Sequence, residues 1–371
     1  RMTIERATLL KSLTHVQSIV ERRTTIPILS NVMLKASAGQ LRLTATDLDI
    51  EIVESVAAEI SSEGETTAPA HLMHDIVRKL PDGSQLDIEQ GPDDGRLSIL
   101  AGRSRFTLQT LPPDDFPDLS ASELEHNFTI AAGDLKMMID KTRFAISTEE
   151  TRYYLNGIYL HSTGDDGDRK MRAVATDGHR LARVEIASPV GAEEIPGVII
   201  PRKTVLEVIK LIGDEDGEIE IGLSEAKIRF SFNGLVLTSK LIDGTFPDYE
   251  RVIPMSNDKM LTVDRRLFSQ AVDRVSTVSA DKGRAIKLSI SPDRVILTVN
   301  NPDSGTAEEE LAATYASEPI DVGFNSQYLL DIASQLDGDT ANFLLLDSGS
   351  PTIVSDTANP DVLYVLMPMR V

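Results

Sequence analysis

One stretch, VATDGHRLARV at 174–184, sets a carboxylate (Asp177), an imidazole (His179) and a guanidinium (Arg180) around Gly178. An Asp–His pair supports general-base catalysis when a nucleophile stands within reach. The same residue types on a glycine turn also serve as the rim of a binding site, or simply as a hydrogen-bonded turn. Spacing alone leaves these three readings open. Elsewhere the patterns that carry chemistry are missing. There is no Cys, hence no thiol nucleophile and no thiolate metal site. The phosphate-cradling G-x-x-x-x-G-K-[ST], the dinucleotide G-x-G-x-x-G and the zinc motif H-E-x-x-H do not occur. HLMH places His71 and His74 at i, i+3, but no third metal ligand lies nearby in sequence. The acidic runs GDDGDR and GDEDGE lack the alternating ligands of an EF-hand loop and read as solvated turns. Metal ligands and cofactors are therefore not expected, and a catalytic reading would rest on the DGHR trio alone.

The elements that carry the DGHR turn recur along the chain. MTIERATLLKSLTHV opens at Met2, FTIAAGDLKMMIDKT at Phe128 and LTVDRRLFSQAVDRV at Leu261. Each is a β-like triplet followed by apolar residues at helical spacing, such as Leu9, Leu10, Leu13 and Val16. A hairpin pattern follows in each: QLRLTATDLDIEIVESV, KMRAVATDGHRLARVEI and RVILTVNNPDSGTAEEELAATY. Then a strand runs into a helix in TAPAHLMHDIVRKL, VIIPRKTVLEVIKLI and VGFNSQYLLDIASQL, and each copy closes on strands. Thr3, Thr129 and Thr262 are 126 and 133 residues apart, too long a period for a solenoid unit. The expected fold is α+β: three tandem copies of one domain, each with two helices packed on antiparallel strands. Domain limits of 1–122, 127–255 and 259–371 leave polar linkers between them. The DGHR turn is then a hairpin turn in the second copy. Copies one and three lack its His and Arg, so the scaffold itself does not require them.

Charge is unevenly spread. The 371 residues carry a net charge of −21, which on its face argues against a polyanion partner. Helices are expected at 5–23, 70–80, 133–144, 201–212, 264–278 and 325–336. They hold 15 Lys and Arg against 9 Asp and Glu, leaving 22 basic and 49 acidic residues elsewhere. Helix propensity of Lys and Arg explains part of this. Segregation of a basic helical surface from an acidic remainder explains it equally well. The last helix, with Asp331 and no Lys or Arg, departs from the pattern. No apolar run approaches the roughly 18 residues of a membrane helix. RMTIERATLL, with Glu5 and Arg6 in its short apolar part, does not read as a signal peptide. A cytoplasmic location, away from membranes, is expected.

Five motifs together carry a family resemblance: TRYYLNG (151–157), ATDGHRLA (175–182), IPRK (200–203), SKLIDGTFPDYERVIP (239–254) and YVLMPMRV (364–371). In this order, over the whole chain, the sequence resembles the bacterial replicative sliding clamps, the β subunits of DNA polymerase III. The resemblance implies a head-to-tail homodimer, two chains closing into a six-domain ring with helices lining the hole. Such a ring encircles duplex DNA without sequence preference and tethers the replicative polymerase as a processivity factor. It catalyses nothing, and a clamp loader opens it. Helices packed about 10 Å apart in a circle of six leave a hole of roughly 9 Å, and twelve leave roughly 28 Å. Only the larger hole passes a B-form duplex about 20 Å across.

The resemblance also implies site residues. A pocket for short clamp-binding motifs of polymerases and other partners would use Arg152, Leu155, Thr176, Gly178, His179, Arg180, Leu181, Pro247, Arg251 and Val252. The third domain would add Asn325, Tyr328, Val365, Met367, Pro368, Met369 and Arg370. Val371 stands where the family carries Leu, and Pro351 where a small polar residue is usual. DNA contacts would come from Arg23, Arg202 and Lys203. The dimer interface would set Phe106 and Leu108 against Thr277 and Val278.

Overall fold

The computed structural model describes residues 1–91, 95–119, 123–214, 216–279 and 284–371. Each copy opens with a strand feeding directly into a helix. The first strands are Met2–Glu5, His126–Ala131 and Lys259–Asp264; the helices are α1 (Arg6–Gln17), α3 (Ala132–Asp140) and α5 (Arg265–Ser276). The second helix of each copy is α2 (Ala70–Lys79), α4 (Arg202–Ile212) or α6 (Ser326–Ala333). Three strands precede that strand–helix unit in copies two and three, copy one adds a short fourth, Glu59–Ile60, and three strands close each copy.

Physical causes of these elements are local. Leu9, Leu13 and Val16 of α1 are fully buried one helical turn apart. Asp264 caps α5 by accepting the Leu267 amide at 2.8 Å, and Asn325 caps α6 by accepting the Gln327 amide at 2.9 Å. The helices are shorter than their sequence pattern suggests. The apolar run of 5–23 continues to Ile19 and Val20, both buried, but the chain leaves the helix after Gln17. Hydrophobic periodicity marks burial and does not mark where backbone hydrogen bonding stops. Likewise α3 ends at Asp140, where the Thr142 hydroxyl donates back to the Met138 carbonyl at 2.6 Å.

The chain divides into two compact units, and the division cuts the second copy. One unit is 1–133 with 189–192 and 203–241; the other is 134–188 with 193–202 and 242–371. The reason is strand pairing between copies. In the first unit the last strand of copy two, Leu235–Lys240, pairs antiparallel with Ile50–Ala57 of copy one, completing an eight-stranded sheet. In the second unit the last strand of copy three, Asn359–Leu366, pairs in the same way with Arg180–Ala187 of copy two. The two junctions share one register. Leu237 faces Ile52 and Ser239 faces Ile50; Tyr364 faces Ala182 and Leu366 faces Arg180. Two further sheets have outer edges: Ser104–Gln109 in the first unit and Gly305–Ala312 in the second.

Candidate functional site

The strands Lys170–Thr176 and Arg180–Ala187 are joined by the DGHR turn, with Thr176 opposite Leu181. The sequence builds that turn from side chain to backbone. Asp177 Oδ1 accepts the amides of His179 at 2.9 Å and Arg180 at 3.1 Å. The Thr176 hydroxyl donates to the Arg180 carbonyl at 2.7 Å and accepts the Gly178 amide at 3.1 Å. Gly178 has φ +88°, and a Cβ there would fall 2.5 Å from Arg152 Nη1. Asp177 Oδ2 takes Arg180 Nε at 3.1 Å, so both carboxylate oxygens are committed to the turn. The His179 imidazole stacks on Tyr328 at 6.2 Å between centroids. The catalytic reading of this trio has no geometry behind it: Asp177 orients backbone amides, and no bond joins it to the imidazole among the described residues.

Arg180 works as a fastener. Its side chain is 11% exposed and reaches Asp331 Oδ2 of α6 at 2.5 Å. It also donates to the Phe144 carbonyl at 2.9 Å and lies 4.3 Å from the centre of the Tyr328 ring. Asp331, the one charge of α6, thus ties copy three to the turn of copy two.

Beside the turn is a concave pocket of about 310 Å³. The turn and its strand supply Thr176, Gly178, Arg180 and Leu181, and the short helical segment Glu150–Leu155 supplies Arg152, Tyr154 and Leu155. The FPDYERV stretch supplies Pro247, Asp248, Tyr249 and Val252; the last strand and tail supply Val365 and Met367. Leu155, Leu181 and Val365 form its apolar floor together with buried Val174, Ile199, Phe246 and Tyr249. Val252 and Met367 are exposed at its mouth. Glu149 holds Arg152 through two bonds of 2.9 and 2.7 Å, and this pairing pulls the Glu149 carboxyl below the ordinary carboxylate range. A water-exposed apolar hollow with a few fixed polar groups at its edge takes apolar side chains of a ligand.

The remaining residues expected in the pocket stand around it. His179 and Tyr328 stack beside Arg180. Asn325 is spent on capping α6. Arg251 is exposed and pairs with Asp248 at 2.8 Å. The tail is pinned at two points: the Met367 amide donates to the His179 carbonyl at 2.9 Å, and the Met369 amide to the Gly323 carbonyl at 2.7 Å. Met369 and Val371 lie on Gly323, where a Cβ would meet the Met369 carbonyl oxygen at 2.6 Å. Pro368 is half-buried and Arg370 exposed. Sequence reasoning missed Tyr154, Asp248 and Tyr249, although FPDY was in plain view; which of its residues face the hollow depends on a turn no periodicity encodes.

Other expected sites are placed as follows. Arg23 is exposed, in the bend after α1, and Arg202 is exposed as the first residue of α4. Lys203 is already paired, with Asp47 and, at 3.7 Å, with Glu21. Burial lowers the pKa of its ammonium, but these carboxylates outweigh that and leave it raised. Leu108 is 4% exposed and faces Leu97 across its own sheet, whereas Phe106 is half-buried. Thr277 ends α5 and is exposed; Val278 is half-buried. His71 bonds to the Val20 carbonyl at 2.7 Å and His74 lies 3.2 Å from the Thr14 hydroxyl, so both serve the packing of α2 on α1. No helix among the described residues is long and apolar enough to cross a membrane.

Comparison with known proteins covers the chain from end to end. The N-terminal, central and C-terminal domains of the DNA polymerase III beta subunit match residues 1–120, 129–248 and 250–370. The beta sliding clamp of Caulobacter vibrioides is 53% identical over 371 residues, covering all of both chains. That of Escherichia coli K12 is 38% identical over 373 residues, again covering all of both. Among solved structures, the sliding clamp of Bartonella birtlesii bound to griselimycin superposes with a TM-score of 0.96 at 55% identity, covering 100% of each chain. The Caulobacter crescentus clamp, with polyethylene glycol bound to its putative beta-motif tethering region, gives 0.97 at 53%, covering 100% of this chain and 98% of the other. With three tandem domains of one family matched in order and relatives this similar along their whole length, the chain belongs to the DNA polymerase III β-subunit family, the bacterial sliding clamps.

Proposed function

We propose that the protein is a replicative DNA sliding clamp: a homodimeric ring around duplex DNA that tethers polymerases and does no chemistry itself. The observation that carries the ring is the shared register of the two junctions between copies. A three-copy chain with two such junctions has one donor strand and one acceptor strand left over. These are the outer edges Ser104–Gln109 and Gly305–Ala312. Applied to them through the equivalent hairpins, the same register sets Phe106 opposite Ala307 and Leu108 opposite Gly305 of a second chain. It sets Arg105 opposite Glu308 and Arg103 opposite Glu310, so that each edge meets its opposite charge. A head-to-tail contact of this kind closes into a ring of two chains. Phe106 then lies toward Thr277 and Val278, since α5 packs beside the Gly305–Ala312 strand. Domain limits of 1–122, 127–255 and 259–371 keep one donor and one acceptor strand in each copy.

Inside such a ring, Arg23 and Arg202 are the exposed cations we assign to phosphates, with Lys203 a lesser contributor because Asp47 and Glu21 already hold it. Phosphate contacts without base readout allow sliding. The pocket beside the DGHR turn is assigned to short motifs of polymerases, the clamp loader and other partners. Its apolar floor suits Leu and Phe anchors, and Met367 adapts to their shape. The protein would act in the cytoplasm, where the chromosome is replicated. Retention on DNA tests the whole reading. Protein loaded onto nicked circular DNA should stay bound through gel filtration and should leave once the circle is linearised. Equal loss from both would refute encirclement.

A further inference from the structure

The FPDY wall of the pocket is fastened from behind by a polar row that the pocket itself does not use. Tyr249 is 5% exposed, with its ring in the apolar floor. Its hydroxyl lies 2.8 Å from His161 Nε2 and 3.2 Å from Arg172 Nη1. His161, Arg172 and Glu185 stand directly opposite one another on three adjacent strands. Arg172 also binds Glu185 at 2.8 Å and Glu250 at 2.5 Å. Rings add a second fastening: His161 stacks on Tyr159 at 4.7 Å, and Tyr159 on Phe246 at 4.8 Å.

The proton positions follow from the partners. An arginine only donates, so the Tyr249 oxygen accepts from Arg172 and its own proton goes to His161 Nε2. His161 Nδ1 faces the Ser162 carbonyl at 3.3 Å, which only accepts, so Nδ1 carries the imidazole proton. The relay runs from Arg172 through Tyr249 and His161 to the Ser162 carbonyl, every donor matched, and it requires a neutral imidazole. We propose that His161 and Arg172 are positioning residues for the partner-peptide pocket, setting Tyr249 and with it the Phe246–Val252 wall, and that protonation of His161 releases this wall. The inference rests on the peptide-pocket reading above.

A second proton on His161 would turn Nε2 from acceptor to donor. The Tyr249 hydroxyl would then face two donors, and its own proton would lose its acceptor. The groups facing the imidazole are Tyr159 on its own strand, Arg172 and Glu185 across the sheet, Tyr249 and Glu250 from the turn above, and Arg183 beside Tyr249. Burial of the imidazole, with Arg172 next to it, holds its pKa below the ordinary value, against the pull of the Ser162 carbonyl and Glu250. The sign follows. A histidine depressed in the folded state favours the neutral form, so the wall is fully held above the ordinary range near pH 6.5 and loosens as pH falls below it.

Titration calorimetry with a synthetic peptide carrying adjacent Leu and Phe anchors, at pH 7.5 and 5.5, tests this. Wild type should bind about three- to tenfold more weakly at the lower pH. A second histidine, His179, stands on the pocket rim, so the decisive quantity is the difference from His161→Gln, which accepts the Tyr249 proton and carries no imidazole. That variant should keep its affinity at pH 7.5 and lose most of the pH dependence. Tyr249→Phe should bind about fivefold more weakly at pH 7.5, because both hydrogen bonds of the hydroxyl are lost. Peptide binding with the same pH profile in wild type and His161→Gln would overturn the relay and leave the pocket standing. No binding by wild type at either pH would overturn both.

Discussion

The charged edges proposed to close the ring give a quantitative handle. Arg103 and Arg105 are exposed, as are Glu308 and Glu310, so reversing them leaves the folded chain intact. The inferred register makes Arg105–Glu308 and Arg103–Glu310 cross-strand pairs between chains. An exposed cross-strand pair contributes about 0.5 kcal/mol, and reversal turns attraction into repulsion of similar size. Two pairs therefore change one junction by about 2 kcal/mol, and the two junctions of a closed ring by about 4 kcal/mol. That raises the dimer dissociation constant nearly a thousandfold. Competition trims the figure, because Arg294 already lies 3.7 Å from Glu310. Sedimentation equilibrium of Arg103→Glu with Arg105→Glu should show monomers where wild type is dimeric. Adding Glu308→Arg and Glu310→Arg to the same chain should restore the dimer. Near 1 M salt, where the screening length falls to about 3 Å, the variants should converge. A dimer unaffected by reversal, or a fourfold variant that stays monomeric, would place the interface elsewhere.

Three further outcomes are expected. Gly323→Ala should unseat the tail, since its Cβ would meet the Met369 carbonyl; peptide affinity should fall about tenfold, like a partial version of deleting 367–371, and carboxypeptidase should trim the tail faster. Gly178→Ala should cost about 1–2 kcal/mol of stability from its positive φ, read as a lower midpoint in urea, and should also weaken the peptide because Arg152 must move. Replacing Arg23 and Arg202 by Ala should weaken DNA retention equally for all sequences and reduce the salt slope by roughly one for each phosphate no longer neutralised, with Lys203→Ala doing less; a sequence-dependent loss would argue against a sliding hold.

How much of this was legible in the sequence divides along physical lines. Repetition of a strand–helix opening and a hairpin is encoded in local patterns, so the three copies could be read directly. Helix ends could not: Ile19 and Val20 are buried like the helix before them, yet lie beyond it. The joining of sheets between copies was invisible, because pairing of Leu235–Lys240 with Ile50–Ala57 spans about half of the chain and no local signal specifies a partner. Charge counting has a similar blind spot. It scored Lys203 as part of a basic surface, whereas Asp47 from the hairpin turn of copy one holds it.

The two hairpin turns of copies one and two show how one scaffold acquires a site. Asp47 and Asp177 do the same work, each accepting two amides of its own turn. Copy one carries Leu48 at φ +79°, an uncommon conformation for a side chain with a γ-branch, where copy two has Gly178 at +88°. Removing the side chain there makes room for Arg152 to approach the turn, and Arg152 in turn walls the pocket. Two residues on, Arg180 replaces Ile50 and reaches out to Asp331 of copy three. The site therefore arises where a turn shared by the copies has exchanged a side chain for space and an apolar residue for a tether. The trio that first suggested catalysis divides its labour accordingly: Asp177 builds the turn, Arg180 ties it to the third copy, and His179 stacks on Tyr328 at the rim.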